Sequence, residues 1–213
     1  MIQPSLLPHL RAPSNDVIVV TALAGELPEA LPEKILFTGV GKINATHVLT
    51  RYLTNHPEIR TVINYGTCGG AYNVTPGTLV KATTFLQGDM DCGKILSEEG
   101  PGITFGDDEA ISNVLNFGTD GIICRTQDQF VENYEALEIF QHLVAGDKFN
   151  IVEMEAYALA KVCAMMGVNF ICYKFVSDTA DENASDDWNK NITKGEPLFY
   201  EVLKKEHGFT HIQ

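Results

Sequence analysis

Positive charge is scarce in this chain: 15 Lys and Arg face 28 Asp and Glu among 213 residues, for a formal net charge of −13. Such a surface repels nucleic-acid phosphates and anionic lipid headgroups. A nucleic-acid polymer or a membrane surface is therefore not the expected partner, whereas a nucleoside-sized ligand remains compatible. No apolar run reaches the roughly 18 residues that a bilayer-spanning helix requires. Paired cysteines are also missing. Cys68, Cys92, Cys124, Cys163 and Cys172 form no CxxC pair, and most sit in apolar segments. They read as buried free thiols in a reducing cytoplasm, not as a disulfide framework or a zinc site. The six histidines show no HExxH spacing, and His207 and His211 lie four apart only in a terminal tail. No metal and no organic cofactor is expected. Low-complexity segments, internal repeats and composition breaks are absent, so the chain reads as one domain over residues 16–213. Residues 1–15 carry three prolines and no continuous apolar core, which predicts an irregular arm and not a secretory leader.

What is present is an ordinary globular composition, 45% hydrophobic and 20% charged. Short β-branched runs predict strands at 16–23, 35–40, 61–66, 77–85, 121–126 and 169–178. Several are continuously apolar, as strands covered on both faces are. Between them, helices are predicted at 42–56, 108–118, 133–146, 155–167 and 195–207, with Gly118, Gly146 and Gly167 as stops and Pro197 in a first turn. Strands alternating with helices predict an α/β fold of three layers, α/β/α, around a central mixed or mostly parallel sheet. Ligands of such sheets bind beyond the carboxyl ends of the strands.

The segment "IVEMEAYALAKV" (151–162) raises a question there. Glu153 and Glu155 sit two residues apart at the mouth of an apolar run, and buried carboxylates need partners or raised pKa values. On a helix that spacing turns the side chains about 200° apart, so they cannot share a face. At a strand-to-helix junction one acid can face a pocket while the other does something else. The remaining strand ends are polar too: Glu26, "GVGKIN", "NYGTCGG", "TQDQF" and "VSDTAD". Each has a plain structural explanation of its own, such as a helix first-turn acid, a glycine turn or an Asp N-cap. "GVGKIN" is not a dinucleotide fingerprint, because Asn44 stands where the third glycine belongs.

Taken in order, "NYGTCGG", "VEMEA" and "VSDTAD" resemble the motifs of the purine and uridine phosphorylase superfamily. The similarity is greatest to its hydrolytic branch, the 5'-methylthioadenosine/S-adenosylhomocysteine nucleosidases, and runs from about Val17 to about Asp181. The resemblance implies a nucleoside-phosphorylase-like fold, a homodimer and N-glycosidic cleavage of an adenine or purine-like nucleoside. It also implies roles. Asp178 is the general acid toward N7 of the leaving purine, oriented by Ser177, and Glu26 polarises the attacking water. Glu155 takes the ribose hydroxyls, Met154 lies against base or sugar, and Glu153 supports. Thr67, with Gly66, Gly69 and Gly70, lies near the nucleophile. Phe130 stacks on the base, and the backbone of Val131 reads its edge.

Water is the expected nucleophile. Phosphorolytic relatives carry an Arg in the loop after the first strand and another before the glycine turn. Here those places read "TALAGELPEA" and Asn64-Tyr65-Gly66. A phosphate dianion beside Glu26 and Glu155 would meet repulsion of several kcal/mol in a low-dielectric site. Arg125 is the nearby cation that could alter this balance. The chain also departs from the branch. Thr67 replaces a Ser, Lys174 stands where an Arg commonly precedes the "SD" element, Tyr65 and Gln127 are bulky, and the stretch from Pro28 to Ile35 is short. In "QGDMDCGK" (87–94), Asp89 and Asp91 suit a polar 5' group. The alternatives are a phosphate-dependent phosphorylase, hydrolysis of aminofutalosine or AMP, and a non-catalytic nucleoside-binding homologue. AMP is disfavoured, because no cationic cluster for a 5'-phosphate is visible.

Overall fold

In the computed structural model, which describes residues 10–28, 32–90, 114–137 and 149–211, the apolar runs become a central mixed sheet with helices on both faces. In chain order the strands are β1 (Leu10–Arg11), β2 (Val17–Thr21), β3 (Ile35–Phe37), β4 (Thr61–Gly70), β5 (Leu79–Gln87), β6 (Val114–Asn116), β7 (Ile122–Thr126), β8 (Ile151–Glu153), β9 (Asn169–Asp178) and β10 (Thr210–His211). The helices are α1 (Lys42–Asn55), α2 (Ala156–Met166), α3 (Ala184–Asn191) and α4 (Glu196–His207), with a short 3-10 turn at Ala24–Glu26.

The two-residue side-chain period of the strands separates two cores. Ile18, Val20, Val62, Cys172 and Val176 face one side, where α1 and α2 contribute Leu49, Leu53, Leu159 and Val162. Their neighbours Val19, Ile63, Tyr173 and Phe175 face the other, where α4 contributes Phe199 and Leu203. Runs such as "VIVV" are continuously apolar because both of their faces are covered. β4 is parallel to β2 and β9 and antiparallel to β8, while β5 is antiparallel to β9 and parallel to β7. The pairing of β7 with β8 then closes a ring through β4, β9, β5, β7 and β8. The register between β4 and β9 breaks once. Cys68 pairs with Val176 but Gly69 with Asp178, so Ser177 is an extra residue at a bulge.

Several sequence-based boundaries change. Val114–Asn116, expected inside a helix over 108–118, is a strand antiparallel to β5, with Leu115 on Phe85. That distant partner outweighs local helix preference; residues 108–113 of that expectation lie outside the described residues. Of the helix expected at 133–146, residues 135–137 form a single 3-10 turn and the part from 138 onward lies outside the described residues. Leu10–Arg11, expected within an irregular arm, pairs with Thr210–His211, and Leu10 is fully buried. β8 and α3 had no sequence expectation of their own. Among the described residues no helix is long and apolar enough to cross a membrane.

Candidate active site

The carboxyl ends of β2, β4, β8 and β9 meet at one cavity of about 310 Å³. Glu26, Thr67, Gly69, Phe130, Val131, Glu153, Met154, Glu155 and Asp178 all line it. Of the candidates named from the sequence, Gly66 and Gly70 on β4 do not line it, nor does Ser177, which lies fully buried behind Asp178. Leu23, Val40, Ser185, Trp188 and Asn189 complete much of the wall. No Lys or Arg lines the cavity among the described residues. Arg125 is buried elsewhere, donating from Nε to Gln127 and from a terminal nitrogen to the Gly88 carbonyl. Asp89 is held by Lys42 and by the Asp128 amide, away from this wall; Asp91 lies outside the described residues.

Glu26 is placed by the 3-10 turn that follows β2. Its Oε2 accepts from Thr21 Oγ1 at 2.7 Å and from the Leu23 amide at 3.1 Å. Its Oε1 accepts from the Thr67 amide at 2.7 Å and from Thr67 Oγ1 at 3.0 Å. A Cβ at Gly66 would stand 3.3 Å from Glu26 Oε1 and 3.1 Å from Lys174 Nζ. The missing side chain on β4 thus leaves room for the Glu26 carboxylate and the Lys174 ammonium beside it.

The strand-to-helix junction separates the two acids of the "VEMEA" element. Glu153, last in β8, turns to the start of α2. It accepts from the amides of Glu155 and Ala156, from Thr126 Oγ1 and, at 2.8 Å, from Lys174 Nζ. Burial alone would raise its pKa, but the Lys174 ammonium and these bonds hold it below the ordinary range. Burial likewise disfavours the Lys174 charge, yet Glu153 keeps it protonated, well above the usual lysine value. Glu155 faces the cavity instead. Its Oε1 accepts from the Gly41 amide at the start of α1, at 2.8 Å. Burial, with the Glu153 charge nearby, pushes its carboxyl up to about 8.

Asp178 reaches the cavity from the bulge at the end of β9. A Cβ at Gly69 would lie 2.9 Å from its Oδ1, so the glycine makes room for the acid itself. Oδ1 accepts from the Ala180 amide at 2.9 Å, and Oδ2 lies 2.7 Å from Ser177 Oγ. Desolvation raises the Asp178 pKa, against the opposing pull of those two bonds. Ser177 Oγ has a second acceptor in reach, the Cys68 carbonyl at 3.2 Å. One hydroxyl carries one proton and cannot serve both. The Asp178 carboxylate and the Cys68 carbonyl therefore compete for that proton.

Sequence reasoning missed the α3 wall. Ser185, Trp188 and Asn189 share one helix face by their spacing, and Trp188 Nε1 donates to Thr67 Oγ1 at 2.9 Å. The segment "ASDDWNKN" has no apolar period to announce a buried face. Its signal was the chain's sole tryptophan in an otherwise polar stretch.

A mixed sheet with helices on both faces and four acids, Glu26, Glu153, Glu155 and Asp178, on the wall of one cavity marks the chain as an α/β enzyme. A family model narrows this: the phosphorylase superfamily matches residues 17–205, and the chain belongs to that superfamily. It is 31% identical over 162 residues to the 5'-methylthioadenosine/S-adenosylhomocysteine nucleosidase of Haemophilus ducreyi, covering 70% of this chain and 68% of that one. Its fold is similar to that of the Streptococcus pneumoniae MTA/SAH nucleosidase in complex with 8-aminoadenine, with a TM-score of 0.70 at 16% identity over 88% of this chain and 96% of the other. It is also similar in fold to a futalosine hydrolase mutant of Helicobacter pylori, with a TM-score of 0.71 at 19% identity, again over 88% and 96%.

Proposed function

We propose that the chain hydrolyses the N-glycosidic bond of an adenine or purine-like nucleoside, such as 5'-methylthioadenosine or S-adenosylhomocysteine, with water as nucleophile and no cofactor. The observation that carries this reading is the presence of Glu26, Glu155 and Asp178 on the walls of one cavity. Asp178 stores a proton against Ser177 and turns it to N7 of the base as the C1'–N9 bond breaks. The bond's electron pair goes to the purine. Ser177 then redirects its own hydroxyl from Cys68 to the new Asp178 carboxylate. General-acid help of this kind is typically worth about 10²–10⁴-fold. Water adds its oxygen to C1' and gives a proton to Glu26.

Glu155 accepts from the ribose hydroxyls. Its ionised form is costly in the empty site and is favoured as positive charge grows on the sugar ring, an interaction stronger in the transition state than before it. Phe130 and Met154 face the base and sugar, and the Val131 backbone lies at the base edge. Water is preferred to phosphate because the described cavity wall holds acids and no cation. That charge balance also disfavours a 5'-phosphate.

We also infer a homodimer. Val40 and Phe130 are 41% exposed at the cavity wall and Ile43, next to it on α1, is 80% exposed. A second copy would cover this apolar rim, and light scattering of a monomer would remove the inference. The described cysteines are free and buried, which fits the cytoplasm.

The test is a nucleoside panel that includes methylthioadenosine, S-adenosylhomocysteine, aminofutalosine and AMP, assayed with and without phosphate for free base. Phosphate-independent release is expected. Release only with phosphate would make the chain a phosphorylase, and no release with tight adenine-nucleoside binding would make it a binding homologue.

A further inference from the structure

Glu26 presents a difficulty if it is to take a proton from water. A carboxylate offers about four lone-pair positions, and Thr21 Oγ1, the Leu23 amide, the Thr67 amide and Thr67 Oγ1 fill all of them. One donor must yield before water can bind there. The two amides are fixed by the backbone. Thr21 is fully buried and outside the cavity wall. Thr67 lines the cavity, and its hydroxyl proton swings about the Cβ–Oγ bond without moving the oxygen.

What holds that oxygen is the indole of Trp188, 121 residues further along the chain, donating from Nε1 at 2.9 Å. An indole nitrogen is a donor only, so it never competes for the Thr67 proton. We propose that Trp188 is a positioning residue for Glu26, acting through Thr67: it anchors the Thr67 oxygen while the hydroxyl proton turns from Glu26 to the arriving water. That turn opens one Glu26 lone pair for the water's own proton and places a donor on the water oxygen. No covalent bond of the protein changes. α3 then serves chemistry through a side chain that need not touch the reacting atoms. The proposal rests on the reading of Glu26 as the acceptor of the water proton.

The test combines kinetics with emission from Trp188, the sole tryptophan of the chain. Trp188→Phe keeps the aromatic bulk and removes the donor. It is expected to lower kcat about tenfold, the worth of one such hydrogen bond, while KM changes less than twofold. Thr67→Val lowers kcat at least as far, and Thr67→Ser, which keeps the hydroxyl, loses less. In the double variant Trp188→Phe/Thr67→Val the loss is no greater than in Thr67→Val alone, because both act through one oxygen. Losses that multiply, or a Trp188→Phe kcat within twofold of the parent, overturn the proposal.

Emission needs no substrate. Thr67→Val and Glu26→Gln are each expected to shift the tryptophan spectrum of the free protein. A spectrum unchanged by both overturns the proposal even if nucleoside hydrolysis stands. A parent enzyme that releases no base, with the spectral shifts intact, instead overturns the nucleosidase reading and leaves the Trp188–Thr67–Glu26 linkage in place.

Discussion

Beneath the cavity and inside it, the same kind of side chain meets opposite treatment. Glu153 and Glu155 are two residues apart and equally buried, at 6% and 7% exposure. Glu153 has Lys174 as a counter-charge, two amides of the α2 N-terminus and a threonine hydroxyl. It is a finished piece of scaffold, with its charge balanced and its lone pairs occupied. Glu155 has the Gly41 amide, and Asp178 has Ser177 and the Ala180 amide; neither has a counter-charge in the cavity wall. Burial of charge alone therefore does not mark the site. Burial left partly uncompensated does, because the ligand or the reaction must supply what is missing.

The largest effect should come from the uncompensated side. Asp178→Asn is expected to lower kcat by about 10²–10⁴-fold while adenine still binds, measured as base release alongside calorimetry. Normal turnover in this variant would show that the proton comes from elsewhere and would erase the distinction between the two regions.

The next effect belongs to the scaffold. Lys174→Met leaves the buried Glu153 charge with its hydrogen bonds but without its counter-charge. Breaking one partner of a buried pair costs about 3–5 kcal/mol, read as a lower urea midpoint at constant slope. Adding Glu153→Gln should recover part of that loss. A change under about 1 kcal/mol, the range of exposed pairs, would mean that Lys174 and Glu153 are not the balanced unit described.

The smallest effect sharpens the contrast by pH. The folded protein holds the Glu155 proton up to about 8, whereas an unfolded chain releases it near the usual value of about 4.3. Between those values the native state binds more protons, so this acid makes stability fall as pH rises through the window. Glu155→Gln keeps an acceptor for the Gly41 amide and carries no charge. It is expected to be more stable than the parent above pH 8, with a gap that closes as the pH falls to 4–5, while losing both turnover and ribose binding. Melts that show no pH-dependent gap would place Glu155 with Glu153 as a compensated acid.

How much of this was legible beforehand depends on the range of the interactions. The two-sided apolar strands β2, β4 and β9 and the glycine stops of the helices were visible because local pattern reflects burial. The three acids stood out only as polar residues at strand ends, and their roles came from the resemblance to a known family. β6 was misassigned because Leu115 derives its strand state from Phe85 in a distant part of the chain. β8 has three residues, too few for a period. Trp188 means little in "DDWNK" until the fold places it against Thr67. Lys174 was recognisable as a departure from an expected Arg, but its bond to Glu153 joins two elements that only the closed ring of strands brings together.

The extra residue at Ser177 has a bearing on anyone transplanting or redesigning this chemistry. Strand side chains alternate, so removing one residue there would heal the ladder and turn the final aspartate toward the opposite layer. A design that idealises this sheet would keep every acid in the text of the protein and lose the enzyme. The irregularity has to travel with the aspartate.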